Sequence, residues 1–420
     1  MRYIYNFFLC LILPFLPLRF LWRSRKNKAY RKHLLERFGF LGFQAIKESI
    51  WVHAVSLGES IAAVPLIKEM LKQYPGLPIV VTTMTPTGAQ AIKKNFPNQV
   101  IHLYVPFDYP FVVKRFLNQI NPKILIIMET ELWPNILYYT AKRNVPIILN
   151  NARLSDRSFA GYKKVRKFMQ PVLDCITMVL AQSELDGERF LKLGLKPKKL
   201  LVTGNIKFDI EISEASLAKA GELRSVIGQE RPVWVAASTH KNEEEKVLVA
   251  AKKLLEILPD ALLILVPRHP ERFDFVFDLC ESQGFNTVKY SNIKEYTNST
   301  NIILGDVMGQ MLMFYGACDL AFVGGSLIPW GGHNLLEPAA LAKPVLSGPH
   351  LSSFVAISQM LDDARGLVVA NDEKALAEKL IELFQDEKLR ESLGQAALNV
   401  VESYRGATKK TLKIIEKLVV

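Results

Sequence analysis

Short, unbroken apolar runs alternate along the chain with segments whose apolar residues recur every three or four positions. In the first half the unbroken runs fall at residues 51–55, 78–82, 100–105, 123–128, 146–150, 178–181 and 200–203. They are rich in Val, Ile and Leu and show no clear polar alternation. Strands buried on both faces of a parallel sheet read this way. The segments between them read as helices, so the class is α/β. After the 51–55 run, for example, Ile61, Val64, Ile67 and Leu71 keep helical spacing until Pro75-Gly76, with Pro65 expected to kink or delay the helix.

The pattern breaks around residues 204–229, which are polar with one short helical piece. A second series of strand-like runs follows at 232–237, 261–266, 301–304, 320–323, 344–346 and 367–369, and residues 373–420 read as helices. The expected layout is an apolar anchor helix (1–22), a Rossmann-like domain (23–207), a linker (208–229), a second Rossmann-like domain (230–400) and a C-terminal helix (401–420) that has the option of crossing back to the first domain. Two such domains are expected to face a central cleft, because open α/β sheets bind ligands beyond the carboxyl ends of their strands.

The anchor rests on residues 3–18, which carry no charge and are followed by Arg19, Arg23, Arg25, Lys26, Lys28, Arg31 and Lys32. The run is shorter than the roughly 20 residues of an ideal span. Arg19 can snorkel and extend it to Trp22. No small-residue cleavage site follows, so an uncleaved anchor, spanning or monotopic, is the leading expectation, with a buried core helix and a signal peptide as the alternatives. The basic flank places its C-terminal side in the cytoplasm.

Composition narrows the function classes. Of 420 residues, 49% are hydrophobic and 22% charged, which excludes a disordered chain. The net charge of +12 points to an anionic partner: nucleic acid, a membrane surface or a phosphorylated substrate. Four scattered cysteines without a C-x-x-C give no disulfide framework and no thiolate zinc site.

Candidate chemistry gathers at the strand ends. Glu59 follows the 51–55 run at a helix start, where the helix dipole favours a carboxylate. It is either a stabilising first-turn charge or a working base. Glu129-Thr130-Glu131 follow the 123–128 run. Paired carboxylates there can push their pKa values apart, and Glu129, nearer the strand, is expected to be the less solvated. Arg153, Arg157, Lys163 and Lys164 offer either phosphate contacts or a solvated basic face. Lys207 lies where the first domain hands over to the second, as a charge-stabilising cation or an exposed hinge residue.

In the second half, Pro267-Arg268-His269-Pro270 form a stiffened loop at a strand end, suited to a phosphate or a base. Gly324-Gly325 permit close backbone approach. Asn334 is expected to cap a helix at 335–342 whose free amides cradle a phosphate, with Glu337 accepting ribose hydroxyls. There is no Walker pattern, no G-x-G-x-x-G, no H-E-x-x-H and no D-x-D in this half.

The blocks "HAVSLGE", "TTMTPTG", "METELWPN", "NARLSDRS", "TGNIKFD", "STHKNEE", "LVPRHPERF", "FVGGSL" and "GGHNLLEPAA" together resemble the 3-deoxy-D-manno-octulosonic acid (Kdo) transferases of lipopolysaccharide assembly, of the glycosyltransferase family 30 type. The joint order of the blocks makes the likeness specific. It implies an inverting enzyme of GT-B fold with CMP-Kdo as donor and the lipid A precursor lipid IVA as acceptor. It implies a place on the cytoplasmic side of the inner membrane and no nucleic-acid partner. By motif, Glu59 is implied as proton acceptor, Glu129 and Lys207 as transition-state stabilisers, and Pro267, Arg268, Met308, Gly309, Gln310, Asn334, Leu335, Leu336 and Glu337 as the CMP site. His269, Gly324 and Gly325 are further donor-site candidates. Gln310 stands where some relatives carry an acidic residue, and "SLIPWGG" is a bulkier apolar loop than the charged one of some members. No cofactor and no metal are expected, since fixed dipoles can stabilise a departing phosphate. The alternatives are a GT-B enzyme using a UDP-sugar, either a glycosyltransferase or a 2-epimerase, and a non-catalytic nucleotide- or nucleic-acid-binding protein.

Overall fold

The computed structural model describes residues 2–13 and 33–419. The chain divides into two compact units, Met1–Asp209 together with Arg405–Val420, and Ile210–Tyr404.

The first unit holds seven parallel strands: β1 (Ser49–His53), β2 (Ile79–Thr83), β3 (Ile101–Tyr104), β4 (Pro122–Met128), β5 (Ile147–Ala152), β6 (Met178–Ala181) and β7 (Leu200–Val202). Their order is β3-β2-β1-β4-β5-β6-β7. Trp51 lies opposite Val80 of β2 and Leu125 of β4. Alternate residues feed two cores. Trp51, Leu125 and Ile127 pack in one, while Ile50, Val52, Ile124 and Ile126 pack in the other. Helices cover both faces, so most strand positions carry an apolar side chain, with polar residues such as His53, Thr82 and Asn150 toward the strand ends, and this is why the runs read as nearly continuous. The helix Leu57–Gln73 runs through Pro65 without ending there.

The second unit repeats the plan with β8 (Val233–Thr239), β9 (Leu262–Pro267), β10 (Thr287–Lys289), β11 (Ile302–Leu304), β12 (Leu320–Val323), β13 (Val345–Ser347) and β14 (Leu367–Val369). The order is β10-β11-β9-β8-β12-β13-β14, again all parallel. β10 is absent from the expected list because three residues at a sheet edge carry too little periodicity to read. Within the segment expected as a linker, Glu214–Ile227 is a helix whose Ala220, Leu223 and Ile227 are buried in a core with Val233 and Phe314.

The C-terminal helix Ala407–Val419 packs Ala407, Ile415 and Val419 into the core that holds Ile50 and Val52. Asp209 accepts from the amides of Gly406 and Thr408, fixing the start of that helix.

The N-terminal helix Arg2–Ile12 has 11 residues, or about 16 Å at 1.5 Å per residue. Among the described residues no helix is long and apolar enough to cross a membrane. Residues 14–22 of the expected anchor lie outside the described residues. The helix is turned inside out. Tyr3, Ile4, Phe7, Phe8, Leu11 and Ile12 are exposed, while Tyr5 and Asn6 face the protein. Tyr5 Oη donates to Asp108 Oδ2 at 3.0 Å, and the Asn135 side-chain amide donates to Asn6 Oδ1 at 2.7 Å. Asp108 is buried and also accepts from the amides of Asn135 (3.0 Å) and Ile136 (2.7 Å). It thereby caps the helix Pro134–Ala141, whose own N-cap residue, Trp133, offers no side-chain acceptor.

Burial pushes the Asp108 carboxyl from 3.8 up to about 7, against the opposing donors Asn135, Ile136 and Tyr5. The folded state therefore binds this proton more tightly than the unfolded chain. Stability from this group falls as pH rises between those two values. Asp108→Asn is expected to flatten that part of the stability–pH curve in urea unfolding. Asp108→Ala is expected to cost about 1–3 kcal/mol by leaving buried donors unpaired.

Candidate active site

In each sheet the strand order reverses between two central neighbours, β1 and β4 in the first and β8 and β12 in the second. At such a point successive crossovers leave toward opposite faces and the strand ends open a crevice. Glu59 and Glu129 lie just beyond β1 and β4, and Gly324, Gly325 and Asn334–Glu337 follow β12, whereas Lys207, Arg268 and Met308–Gln310 follow β7, β9 and β11.

Glu59 sits in the first turn of Leu57–Gln73, after β1. Its neighbourhood is a capping box. Ser56 Oγ accepts from the Glu59 amide (3.3 Å) and donates to Glu59 Oε1 (2.7 Å), while the Val55 amide donates to Oε2 (2.8 Å). The side chain is only 7% exposed. Burial raises its pKa, the Ser56 and Val55 hydrogen bonds oppose the rise, and the charge of Glu129 adds to it. The helix start therefore orients the carboxylate without holding its pKa down.

Glu129 follows β4 with φ +55°, a left-handed backbone that non-glycine residues seldom adopt. Such strain concentrates at functional sites. The expectation made Glu129 the less solvated of the pair, but Glu131 is the carboxyl that burial raises, from 4.5 to about 7. The Trp133 indole donates to Glu131 Oε2 at 2.6 Å, and the charges of Glu59 and Glu129 push Glu131 further up. The three carboxylates thus act on one another. Glu131 is reached by the chain folding back through Trp133, which distance from the strand end does not reveal.

Lys207 is exposed on a 3-10 turn between buried Ile206 and Phe208. Asn151, at the end of β5, holds that turn by accepting the Ile206 amide at 3.0 Å. Arg153, Arg157, Lys163 and Lys164 are exposed, and the helix Asp156–Lys164 buries no residue, so this stretch is a solvated basic face.

In the second unit, two consecutive buried glutamates after β8 organise the loops. Glu243, 0% exposed, accepts the amides of Gly325 (2.6 Å), Ser326 (3.0 Å), Leu327 (2.9 Å) and His240 (3.2 Å). Glu244, also 0% exposed, takes the Arg272 guanidinium at 3.0 and 3.3 Å, tying down the loop after β9. Gly324 is required at its place: a Cβ there would meet the Ala237 carbonyl and Glu243 at 2.9 Å. Gly325, with φ +67°, lets the His333 ring approach.

Arg268 is exposed at the end of β9, beside buried Pro267 and half-buried His269. Met308 and Gly309 are exposed, and Gln310 immediately precedes the helix Met311–Ala317. Asn334 is not the N-cap. The helix is Leu336–Ala340, five residues with Leu335 at the cap. Asn334 accepts the Leu336 amide (3.2 Å) and donates to Glu337 Oε1 (3.1 Å). One amide expected to cradle a phosphate is therefore already satisfied, and the helix is too short for a strong dipole. Burial raises the Glu337 pKa, opposed by Asn334 and the Arg268 charge.

Glu131 was named only as the partner of Glu129, and His240, Glu243 and His333 were not singled out from sequence. The block "STHKNEE" carries the signal for two of them, a His and a Glu three residues apart directly after a strand. Among the described residues, no group of three or more His, Cys, Asp or Glu side chains is placed to hold a metal ion.

Two seven-stranded parallel sheets, each with polar residues at its order reversal, define the GT-B-like class. The fold matches a glycosyltransferase from Rickettsia africae ESF-5 (TM-score 0.54, 16% identity, 89% of this chain and 99% of that one). It also matches UDP-GlcNAc 2-epimerase from Neisseria meningitidis bound to UDP-GlcNAc (TM-score 0.58, 13% identity, 88% and 100%). Residues 32–210 match the 3-deoxy-D-manno-octulosonic-acid transferase (kdotransferase) family, and residues 233–400 match glycosyl transferases group 1. The 3-deoxy-D-manno-octulosonic acid transferase of Haemophilus influenzae is 42% identical over 94% of this chain and 93% of its own. The chain belongs to the Kdo transferase family, and its function is Kdo transfer in lipopolysaccharide biosynthesis.

Glu243→Ala strands four backbone donors, each worth about 1–3 kcal/mol when buried and unpaired. Urea unfolding is expected to show a loss of at least about 3 kcal/mol. A loss below about 1 kcal/mol would mean that water replaces the carboxylate.

Proposed function

We propose that this transferase moves Kdo from CMP-Kdo to lipid IVA with inversion, at the cytoplasmic face of the inner membrane, without a metal. The observation that carries the catalytic part is Glu59, whose carboxylate is held by Ser56 and the Val55 amide while burial raises its pKa. A base so placed takes the proton of the acceptor hydroxyl. The hydroxyl oxygen attacks the anomeric carbon as the bond from that carbon to the phosphate oxygen breaks, and CMP leaves with the electron pair. Glu129 and Lys207 stabilise the charge that develops. Arg268 and the residues around Glu337 hold the nucleotide, with Arg268 countering the phosphate charge in place of a metal.

Glu59→Gln is expected to lower kcat by about 10²–10⁴ while leaving CMP affinity unchanged, read by product mass and by calorimetry. Wild-type kcat is expected to fall on acidification through a pKa above the usual 4.5 of a glutamate, because the base works deprotonated. Turnover of Glu59→Gln within threefold of wild type would remove Glu59 from the mechanism. Preference for UDP over CMP would favour the UDP-sugar reading instead. Activity abolished by a chelator and restored by magnesium would overturn metal independence.

The membrane part of the proposal is supported by the outward apolar face of Arg2–Ile12. An exposed helical face of this kind lies in a lipid interface. Basic residues after it add attraction to anionic lipid, at about 1 kcal/mol each near the surface. Phe7→Asp with Phe8→Asp is expected to cut sedimentation with anionic vesicles by tenfold or more, while the soluble fraction keeps CMP binding.

A further inference from the structure

The second unit contains an imidazole pair that the proposed mechanism leaves unused. His240, directly after β8, and His333, after the β12 loop, meet edge to edge and nearly coplanar, with their planes 8° apart and their centroids 5.0 Å apart. Their Nε2 atoms are 2.7 Å apart. Trp330, 60% exposed, lies over His240 with ring centroids 4.4 Å apart, and the His269 ring meets His240 edge-on at 5.4 Å. The seat is rigid. Glu243 holds both the His240 amide and the Gly325–Leu327 amides, and a Cβ on Gly325 would strike the His333 ring at 3.0 Å.

Proton counting fixes what this pair can do. In the neutral pair one ring donates through Nε2 and the other accepts. Only the accepting ring then carries a proton on Nδ1. One added proton, the third of the pair, gives both Nδ1 atoms a hydrogen and leaves one positive charge shared across the Nε2 contact. The pair then presents two donors and a charge, which suits an anion with two oxygens.

We infer that the His240–His333 pair is an anion subsite of the sugar nucleotide, taking up a proton as it receives the ligand's phosphate or its sugar carboxylate. The inference rests on the nucleotide-donor reading above. The titratable and charged groups acting on the pair are Arg268, His269 and Arg272 from the loop after β9, with Glu243 on the His240 amide. Burial first, and then neighbouring positive charge, pushes both rings down to about 4. The pair by itself is therefore neutral near pH 7. An arriving anion reverses the local charge and raises the pair, so anion affinity weakens as pH rises.

Calorimetry near pH 7 in buffers of different ionisation heat tests this, with wild type, His333→Gln and His240→Gln each titrated with CMP, CMP-Kdo and cytidine. CMP gains or loses its own phosphate proton, which cancels in the difference between wild type and variant. Wild type is expected to take up more protons than either variant, and the variants are expected to lose tenfold or more in affinity. Loss for both CMP and CMP-Kdo assigns the phosphate. Loss for CMP-Kdo alone assigns the carboxylate. Cytidine, which has neither group, is expected to bind the variants as it binds wild type. Equal proton uptake and affinity in wild type and both variants overturn the subsite. So does an equal loss for cytidine, which would make the pair a packing element. A wild type that binds UMP and not CMP sinks the CMP donor, and the same comparison made with UMP then decides the subsite separately. Where one variant loses its cooperative thermal transition, the other decides.

Discussion

The reversal of strand order in each parallel sheet is the constraint from which the rest follows. Parallel strands need crossovers, and crossovers keep one hand. Where the order reverses, two neighbouring strands send their chains to opposite faces, and no backbone fills the gap at their carboxyl ends. In the first sheet that gap lies between β1 and β4 and receives Glu59, Glu129 and Glu131. In the second it lies between β8 and β12 and receives His240, Glu243 and the glycine loop. Chemistry sits where the topology withholds cover.

The two gaps use buried carboxylates in opposite ways. Glu243 has four amide donors directed at two oxygens, close to the full acceptor capacity of a carboxylate. It has no hydrogen-bonding capacity left for a substrate and acts as a brace. Glu59 takes the Ser56 hydroxyl and the Val55 amide, with a weaker backbone contribution from Ser56, and burial outweighs them in setting its pKa. It keeps lone pairs for a proton. The number of fixed donors separates scaffold from base where residue type and burial alone would not.

Much of this was legible from sequence. Strands buried on both faces announce themselves as continuous apolar runs, and the runs at 178–181, 320–323 and 367–369 coincide with β6, β12 and β14. Glu59 was legible because a capping box is local. What escaped was non-local or short. β10 has three residues. The helix 214–227 hides its buried stripe of Ala220, Leu223 and Ile227 in a polar sequence. The burial of Glu131 depends on Trp133 folding back, and the role of Glu243 depends on a loop more than eighty residues away. Asn334 carried the right side chain for a cap, but its helix starts two residues later and lasts five. The outward apolar face of Arg2–Ile12 was hidden because a run without charge gives no sign of which side is buried.

Asp108 links two ends of the first unit through one oxygen. Its Oδ2 accepts both the Tyr5 hydroxyl of the N-terminal helix and the Asn135 amide, and Asn135 lies four residues beyond Glu131. The peripheral helix and the segment that carries the site carboxylates therefore share a mechanical joint. A force that lifts or rolls the helix reaches the Trp133–Ile136 turn without passing through the sheet. A surface that grips Phe7 and Phe8 therefore pulls on the acidic loop through two side-chain hydrogen bonds, Tyr5 to Asp108 and Asn135 to Asn6.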